Sequence, residues 1–206
     1  MCISESWLRE AEQSVKDAGA AEVNVEQGNA TRLSYEDDSF DIVWCAQSLY
    51  SLPRMFDCLT EMRRVLRPGG YLCILENDSM HHVLLPWPPS LEVRIIAAEL
   101  KEARETARQP EKYYSGRWLS RLMRRAGLRR TQERSFASTR QQPLSAAATE
   151  YFAAYLESLR KRVRKHLSPA ASHRLDQLLD PDSRRCLWKQ RDFVAVSLDR
   201  LVWAQK

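Results

Sequence analysis

The stretch GNATRLSYEDDSFDIVWCAQSLYSLP, residues 28–53, decides how this sequence of 206 residues is interpreted. A small polar turn, Gly28-Asn29-Ala30, leads through an acidic patch into the nearly continuous apolar run Phe40–Cys45. The run is too short for a helix of ordinary length and ends in small and polar residues. We therefore predict a buried β-strand over Phe40–Cys45.

Composition predicts a globular protein of one domain with a hydrophobic core, and the length leaves room for an added subdomain or lid. Hydrophobic residues make up 44% of the chain and charged residues 29%. No apolar run approaches the roughly 20 residues of a membrane span. The sequence from Met1 has neither the basic start nor the apolar core of a secretion signal, so we expect a cytoplasmic protein.

The cysteines, histidines and basic residues give no clear site. Five scattered cysteines without a C-x-x-C pair argue against a disulfide framework and against zinc. His81 and His82 lack metal-ligand spacing to the other histidines, so no metal is expected. The formal charge of +5 and the arginine clusters at 121–130 and 160–165 are more typical of solvated helix ends than of a nucleic-acid surface.

The order of predicted elements indicates an α/β fold. A helix over 4–18, a short strand at Val23–Val25 and the strand Phe40–Cys45 are followed by a helix after Pro53. The predicted apolar stripe of this last helix is Phe56, Leu59, Met62 and Leu66. Pro68-Gly69-Gly70 is expected to end that helix before a strand over 71–75. Alternating strands and helices with short connections are typical of a parallel sheet covered by helices.

The second half of the sequence is predicted to be richer in helix. Helices are expected over 90–108, 118–126, 144–167 and 170–179, with strands at 128–136 and 193–198. We predict a core of residues 1–140 and 188–206, with a helical insert or lid at 141–187.

The sequence motifs in residues 28–76 resemble those of the class I S-adenosylmethionine-dependent methyltransferases, in particular the type 11 methyltransferases. The resemblance rests on GNA, FDIVWC and LPRMFDCLTEMRRVLRPGGYLCILE in this order and spacing. It implies a Rossmann-like core and S-adenosylmethionine as cofactor. The positions that match the family's cofactor site are Cys2, Ile3, Gly28, Asn29, Ala30, Cys45, Ala46 and Gln47.

Each matched position has an expected role. The resemblance places the Asn29 side chain at the adenine exocyclic amine, although a turn-capping asparagine is the alternative interpretation. Gly28 would allow a tight exit from its strand, and Cys45 to Gln47 would line the methionine side of the cofactor. Asp41 is expected to have a structural role.

The sequence departs from the family at its start. No two of its six glycines have G-x-G spacing, and the position of the ribose-binding carboxylate falls on Cys2. The sequence-based hypothesis is that the chain begins about one βαβ unit late, through a misassigned or truncated start or through a complementing subunit. The core would then be incomplete at the N-terminus.

If the chain is a methyltransferase, residues that follow the strands are expected to form a pocket for the methyl acceptor. The positions that we expect to line it are Tyr50, Glu76, His81, Trp87, Tyr114 and Tyr151. Glu76 could equally be an exposed strand-end carboxylate, and aromatic stripes at helical spacing are more often core. A catalytic residue is not identified.

The predicted function is transfer of a methyl group to a small-molecule acceptor, with activity impaired if the chain is truncated. One alternative is a non-catalytic remnant that acts as an interaction partner, and another is an RNA or DNA methyltransferase. A homo-oligomer or a complementing subunit is a further expectation. No membrane partner is expected.

Overall fold

The computed structural model describes residues 5–19, 22–52, 54–78, 83–106 and 113–206. The chain divides into two compact units. The first comprises Met1–Leu75, Trp118–Glu133 and Leu201–Lys206, and the second comprises Glu76–Arg117 and Arg134–Arg200. The predicted boundary of an insert at 141–187 stays a prediction.

The first unit contains a parallel strand pair with a helix between its strands. β1 (Phe40–Ala46) is followed by a 3₁₀ turn (Leu49–Ser51), by α2 (Met55–Arg64) and by β2 (Leu66–Glu76), and α1 (Glu5–Asp17) precedes them. β1 and β2 pair in parallel, with Val43 opposite Leu72 and Cys45 opposite Ile74. This is the βαβ unit that the sequence predicts.

The two glycines after Pro68 lie inside β2 and do not end the helix as predicted. α2 ends at Arg64, and β2 already begins at Leu66. A Cβ atom at Gly70 would lie 2.8 Å from the carbonyl oxygen of Asp41, so β1 and β2 can approach closely only with glycine there. Gly69 has φ +84°, a conformation that glycine adopts without steric cost.

β5 (Val194–Gln205) connects the remaining strands of the sheet. The strand order is β1-β2-β5-β3, and β4 (Arg129–Gln141) also pairs with β5. β3 (Val83–Leu84) is antiparallel to β5, with Val83 opposite Ser197. At the other end of β5, the Lys206 amide donates to the Gly70 carbonyl.

Each unit has its own hydrophobic core. In the first unit, α4 (Ser115–Arg125) contributes Leu119 and Met123 to a cluster with Leu59 of α2 and Ile74 of β2. In the second unit, the helices are α3 (Pro89–Thr106), α5 (Ala146–Val163) and α6 (Pro169–Leu179). Their apolar stripes bury Ile95, Phe152 and Leu175 in one cluster, which confirms the helices predicted there.

Three predictions about local structure are wrong. Residues 23–28 are irregular, because no described strand pairs with them, and Val23 is exposed. β1 is not a buried strand: Cys45 is buried, whereas Ile42 and Trp44 are 63% and 56% exposed. β1 is the last strand of the described sheet, so it has a neighbour on one side only. Phe56 of the predicted apolar stripe of α2 is exposed.

No described helix combines the length and the hydropathy that a membrane-spanning segment would need.

Candidate functional site

The turn around Asn29 is held by its own side chain. Asn29 Oδ1 accepts hydrogen bonds from the Thr31 amide at 3.0 Å and from Thr31 Oγ1 at 2.8 Å. The Asn29 carbonyl accepts from the Arg32 amide at 2.9 Å. The turn-capping alternative is therefore what the structure shows for Oδ1. Gly28 is exposed, and an added Cβ would meet no described atom within 4 Å, so its predicted need for glycine is not borne out by the local geometry.

Arg64 and Glu61 of α2 fasten the loop that follows this turn. The Arg64 guanidinium donates to the carbonyls of Leu33 and Tyr35 and to Asp37 Oδ1, at 2.8 to 3.0 Å. Glu61 Oε2 accepts from the Leu33 amide and from Arg64, each at 2.9 Å. These contacts hold the pKa of the Glu61 carboxyl below its ordinary value, and the hydrogen bond from Arg64 is the largest cause. The loop over 33–37 is thus fixed by charge-assisted hydrogen bonds.

The carboxyl end of β1 has an unusual backbone conformation. Gln47 follows the strand with φ +47°, in the left-handed region that non-glycine residues rarely adopt. Its amide donates to the Leu75 carbonyl at 2.8 Å, which ties this position to the end of β2. Arg54, at the start of α2, is also left-handed with φ +46°, and donates to Thr31 Oγ1 at 3.3 Å. Backbone strain of this kind clusters at functional sites.

The structure brings part of the predicted cofactor set together. Ala30 packs on the same hydrophobic cluster that contains the buried Cys45. Arg54, the residue that precedes α2, donates a hydrogen bond to Thr31 of the turn. Cys2 and Ile3 lie outside the described residues, so their predicted role stays a prediction.

The predicted acceptor residues do not form one group. Tyr50 lies in the first unit, and the others that are described lie in the second. Glu76 is fully buried, so the exposed alternative is wrong, and its Oε1 accepts from the Asn77 amide at 3.3 Å. Trp87 packs on the core cluster of the second unit, and the Arg117 guanidinium lies 4.7 Å from the centre of the Tyr114 ring. His81 lies outside the described residues.

Tyr151 lines a cavity of about 480 Å³ in the second unit. The cavity is also lined by Phe152 and by polar residues that the sequence analysis missed, which are Ser138, Arg140, Ser145, Ser197 and Asp199. Ser138 and Arg140 alternate on β4, and Ser197 and Asp199 alternate on β5. This period-two spacing of polar residues was the available signal, but sequence alone could not show that the two strands are neighbours.

A group of possible metal ligands lies elsewhere in the second unit. Glu102 and Glu105 of α3 meet His166, and the His166 Nε2 atom lies 2.8 Å from Glu102 Oε2. Lys165 Nζ lies 2.7 Å from the same oxygen and 3.3 Å from Glu105 Oε2. The Lys165 ammonium group therefore already pairs with both carboxylates, and together with His166 it lowers the pKa of Glu102.

Comparison with known proteins finds sequence similarity to methyltransferases in the N-terminal part of the chain. Residues 1–74 match the family described as "Methyltransferase domain". The demethylmenaquinone methyltransferase of Bacillus subtilis (strain 168) is 41% identical over 75 residues, which cover 36% of this chain and 32% of that protein. The demethylmenaquinone methyltransferase of Bacillus cytotoxicus is 29% identical over 141 residues, covering 65% of this chain and 60% of that protein. The chain thus spans less than two thirds of the length of either relative.

Two solved structures share the fold. A proposed methyltransferase from Bacillus halodurans C-125 has a TM-score of 0.56 and covers 99% of this chain and 80% of its own, at 17% identity. The YcgJ protein from Bacillus subtilis has a TM-score of 0.53, with 98% and 79% covered, also at 17% identity. The predicted Rossmann-like α/β fold is confirmed, and the family match over residues 1–74 confirms the predicted resemblance to methyltransferases.

Proposed function

We propose that this chain takes part in S-adenosylmethionine-dependent transfer of a methyl group to a small-molecule acceptor. The observation that carries the proposal is the left-handed backbone of Gln47 at the carboxyl end of β1. In open α/β sheets, ligands bind beyond the carboxyl ends of the strands, where backbone and short side chains allow close approach. The match of residues 1–74 to methyltransferases supports the same site.

The described residues fit the cofactor, with one change in the role of Asn29. Its Oδ1 atom already accepts two hydrogen bonds from Thr31, so it cannot also accept from the adenine amine while the turn is intact. The Nδ2 group, which makes no hydrogen bond within the described part of the chain, can instead donate to an adenine ring nitrogen. Ala30, Cys45, Ala46 and the Gln47 side chain would surround the rest of the cofactor.

When bound, S-adenosylmethionine supplies a methyl group activated by its sulfonium, and transfer leaves S-adenosylhomocysteine. The contribution of the protein is to hold the acceptor atom in line with that methyl group, which lowers the entropic part of the barrier. Gln47 would position the reacting end because its backbone is fixed by the hydrogen bond to Leu75. The relatives named as demethylmenaquinone methyltransferases support a small-molecule acceptor.

Calorimetric titration of S-adenosylmethionine into Asn29 variants tests this site. Asn29→Ala should weaken binding about three- to tenfold, since it removes one ligand hydrogen bond and loosens the turn. Asn29→Asp should keep the turn but lose the Nδ2 donor, and so should also weaken binding. Asn24→Ala is the control, because Asn24 is an exposed asparagine in the same irregular segment. Equal affinities for all four proteins would contradict the proposed role of Asn29.

We also propose that the chain self-associates as a homo-oligomer. Ile42, Trp44 and Tyr71 are exposed, and Ile42 is opposite Tyr71 in the register of the parallel pair. Parallel sheets usually have both faces covered, so an exposed apolar face on such a pair favours a contact with another chain. The cytoplasmic location and the absence of nucleic-acid partners stay predictions from the sequence.

A further inference from the structure

The cavity that contains Tyr151 has a rigid aromatic wall. The Tyr151 ring is stacked with Tyr155, with centres 6.1 Å apart and planes 8° from parallel. It meets Phe152 edge to face at 5.3 Å, and Phe152 in turn packs edge to face on Phe193 within the core. Tyr151 nevertheless remains 49% exposed. An aromatic ring that is braced from the core side and open on the other offers a face on which a planar ligand can stack.

Arg140 and Asp199, which carry opposite charges, line the same cavity as Tyr151. Burial is the main cause of the raised pKa of Tyr151, while Arg140 lowers it and Asp199 raises it, so both charges act on the phenol. Arg140 makes no ion pair or hydrogen bond with any residue that the structure describes. An exposed guanidinium at the edge of an aromatic-walled cavity suits a planar anionic group, which it can bind through two parallel N–H donors.

The remaining lining is suited to hydroxyl groups. Ser138, Ser145 and Ser197 can donate or accept hydrogen bonds, although Ser145 Oγ already accepts from the Ala148 amide as the cap of α5. The Asp199 carboxylate accepts hydrogen bonds and disfavours a second negative charge. A volume of about 480 Å³ is within the range of small-molecule sites and exceeds what a single ring requires.

We infer that this cavity is a binding site for a small molecule, namely an aromatic ring with one anionic oxygen group and a hydroxyl group. The ligand class rests on the lining of the cavity alone. The ring stacks on Tyr151, Arg140 binds the anionic oxygen, and Asp199 with the serines binds the hydroxyl. The anion is either a carboxylate or a phenolate, and the choice of probes separates the two.

The test uses the fluorescent probe 6-hydroxy-2-naphthoate and three relatives of it. These are 2-naphthoate, 2-naphthol and the methyl ester of the hydroxynaphthoate, each titrated into the full chain. We expect the hydroxynaphthoate to bind best. If the anion is a carboxylate, the ester and 2-naphthol should bind about tenfold more weakly, the loss expected for one charge-assisted hydrogen bond. If the anion is a phenolate, 2-naphthol and the ester should gain affinity as the pH rises toward 10, and 2-naphthoate should not.

Variants assign the contacts to residues. Arg140→Gln should weaken binding of the hydroxynaphthoate about tenfold, whereas Arg134→Gln, on the same exposed strand but outside the cavity, should leave it unchanged. Tyr151→Leu should weaken all four probes, and Asp199→Asn should reduce the preference for the hydroxynaphthoate over 2-naphthoate. Circular dichroism confirms that each variant is folded. Equal binding to wild type and Arg140→Gln, or equal binding of all four probes at every pH, would overturn the inference.

Titration of S-adenosylmethionine into the same variants separates this inference from the proposed function. Arg140→Gln should bind the cofactor as the wild type does, because Arg140 lines the ring site and not the proposed cofactor site. Probe binding that depends on Arg140, in a chain without affinity for S-adenosylmethionine, would overturn the proposed function and leave the ring site standing. Cofactor binding without probe binding would overturn the ring site alone.

Discussion

Among single residues, the structure requires glycine at Gly70, where β1 and β2 approach each other. It does not require glycine at Gly28, where the sequence suggested a tight turn after a strand. Gly70 lies against the backbone of β1, whereas Gly28 lies in open space. The family-like PGG sequence therefore serves the packing of β1 on β2. This role is structural. It does not require the PGG sequence to end α2, which already ends at Arg64, four residues before Pro68.

Replacement of Gly70 by alanine should destabilise the fold. The new Cβ would lie 2.8 Å from the Asp41 carbonyl oxygen and 3.0 Å from that of Arg67, so a backbone shift is required. We expect a loss of about 1–3 kcal/mol in the free energy of unfolding, measured by urea denaturation. The matched variant Gly28→Ala should change it by less than about 0.5 kcal/mol. Similar stabilities of the two variants would show that the strands do not approach as described.

At the scale of elements, α2 organises the loop that leads into β1. Arg64 and Glu61 satisfy backbone groups of Leu33 and Tyr35 that would otherwise need water. The loop over 33–37 is polar and has no regular structure, so these side-chain hydrogen bonds replace the ladder that a strand would supply. The position of the Asn29 turn depends on them.

The attachment of this loop should weaken in acid. The pKa of Glu61 is lowered in the folded chain, chiefly by Arg64, so its stabilising contribution is present above its ordinary pKa of 4.5 and is lost as pH falls through the lower folded value. We expect the urea midpoint to fall between pH 5 and about pH 3. Glu61→Gln should have a lower midpoint at pH 7 and a smaller loss on acidification. Identical pH profiles for the two proteins would contradict the assigned role of Glu61.

The sequence predicted helices better than it predicted strands and the site. Helix stripes such as Phe152, Leu159 and Val163 depend on local spacing, and the structure buries all three. A strand depends on its neighbours, which local spacing does not show. Val23–Val25 has the alternation of a strand but no described partner, and Ile42 has the hydropathy of a buried residue on an uncovered face. Arg140 and Asp199 were missed for the same reason, since pairing of distant strands creates their cavity.

At the scale of the whole molecule, the uncovered face of the β1–β2 pair should cause self-association. Ile42 and Trp44 together expose large apolar side chains beside Tyr71. Analytical ultracentrifugation over a range of concentrations should show reversible association, and the double variant Ile42→Gln, Trp44→Gln should shift it toward the monomer. Val93→Gln, at an exposed valine of α3, should not. A wild-type chain that remains monomeric at all concentrations would contradict this expectation.

If the end of β1 and the turn at Asn29 form a cofactor site, the chain must bind S-adenosylmethionine. Calorimetric titration of S-adenosylmethionine into the 206-residue chain measures this binding. We predict saturable binding of one cofactor per chain at micromolar affinity, although G-x-G spacing is absent from the sequence and the ribose position falls on Cys2. A folded sample that shows no binding would contradict the claim.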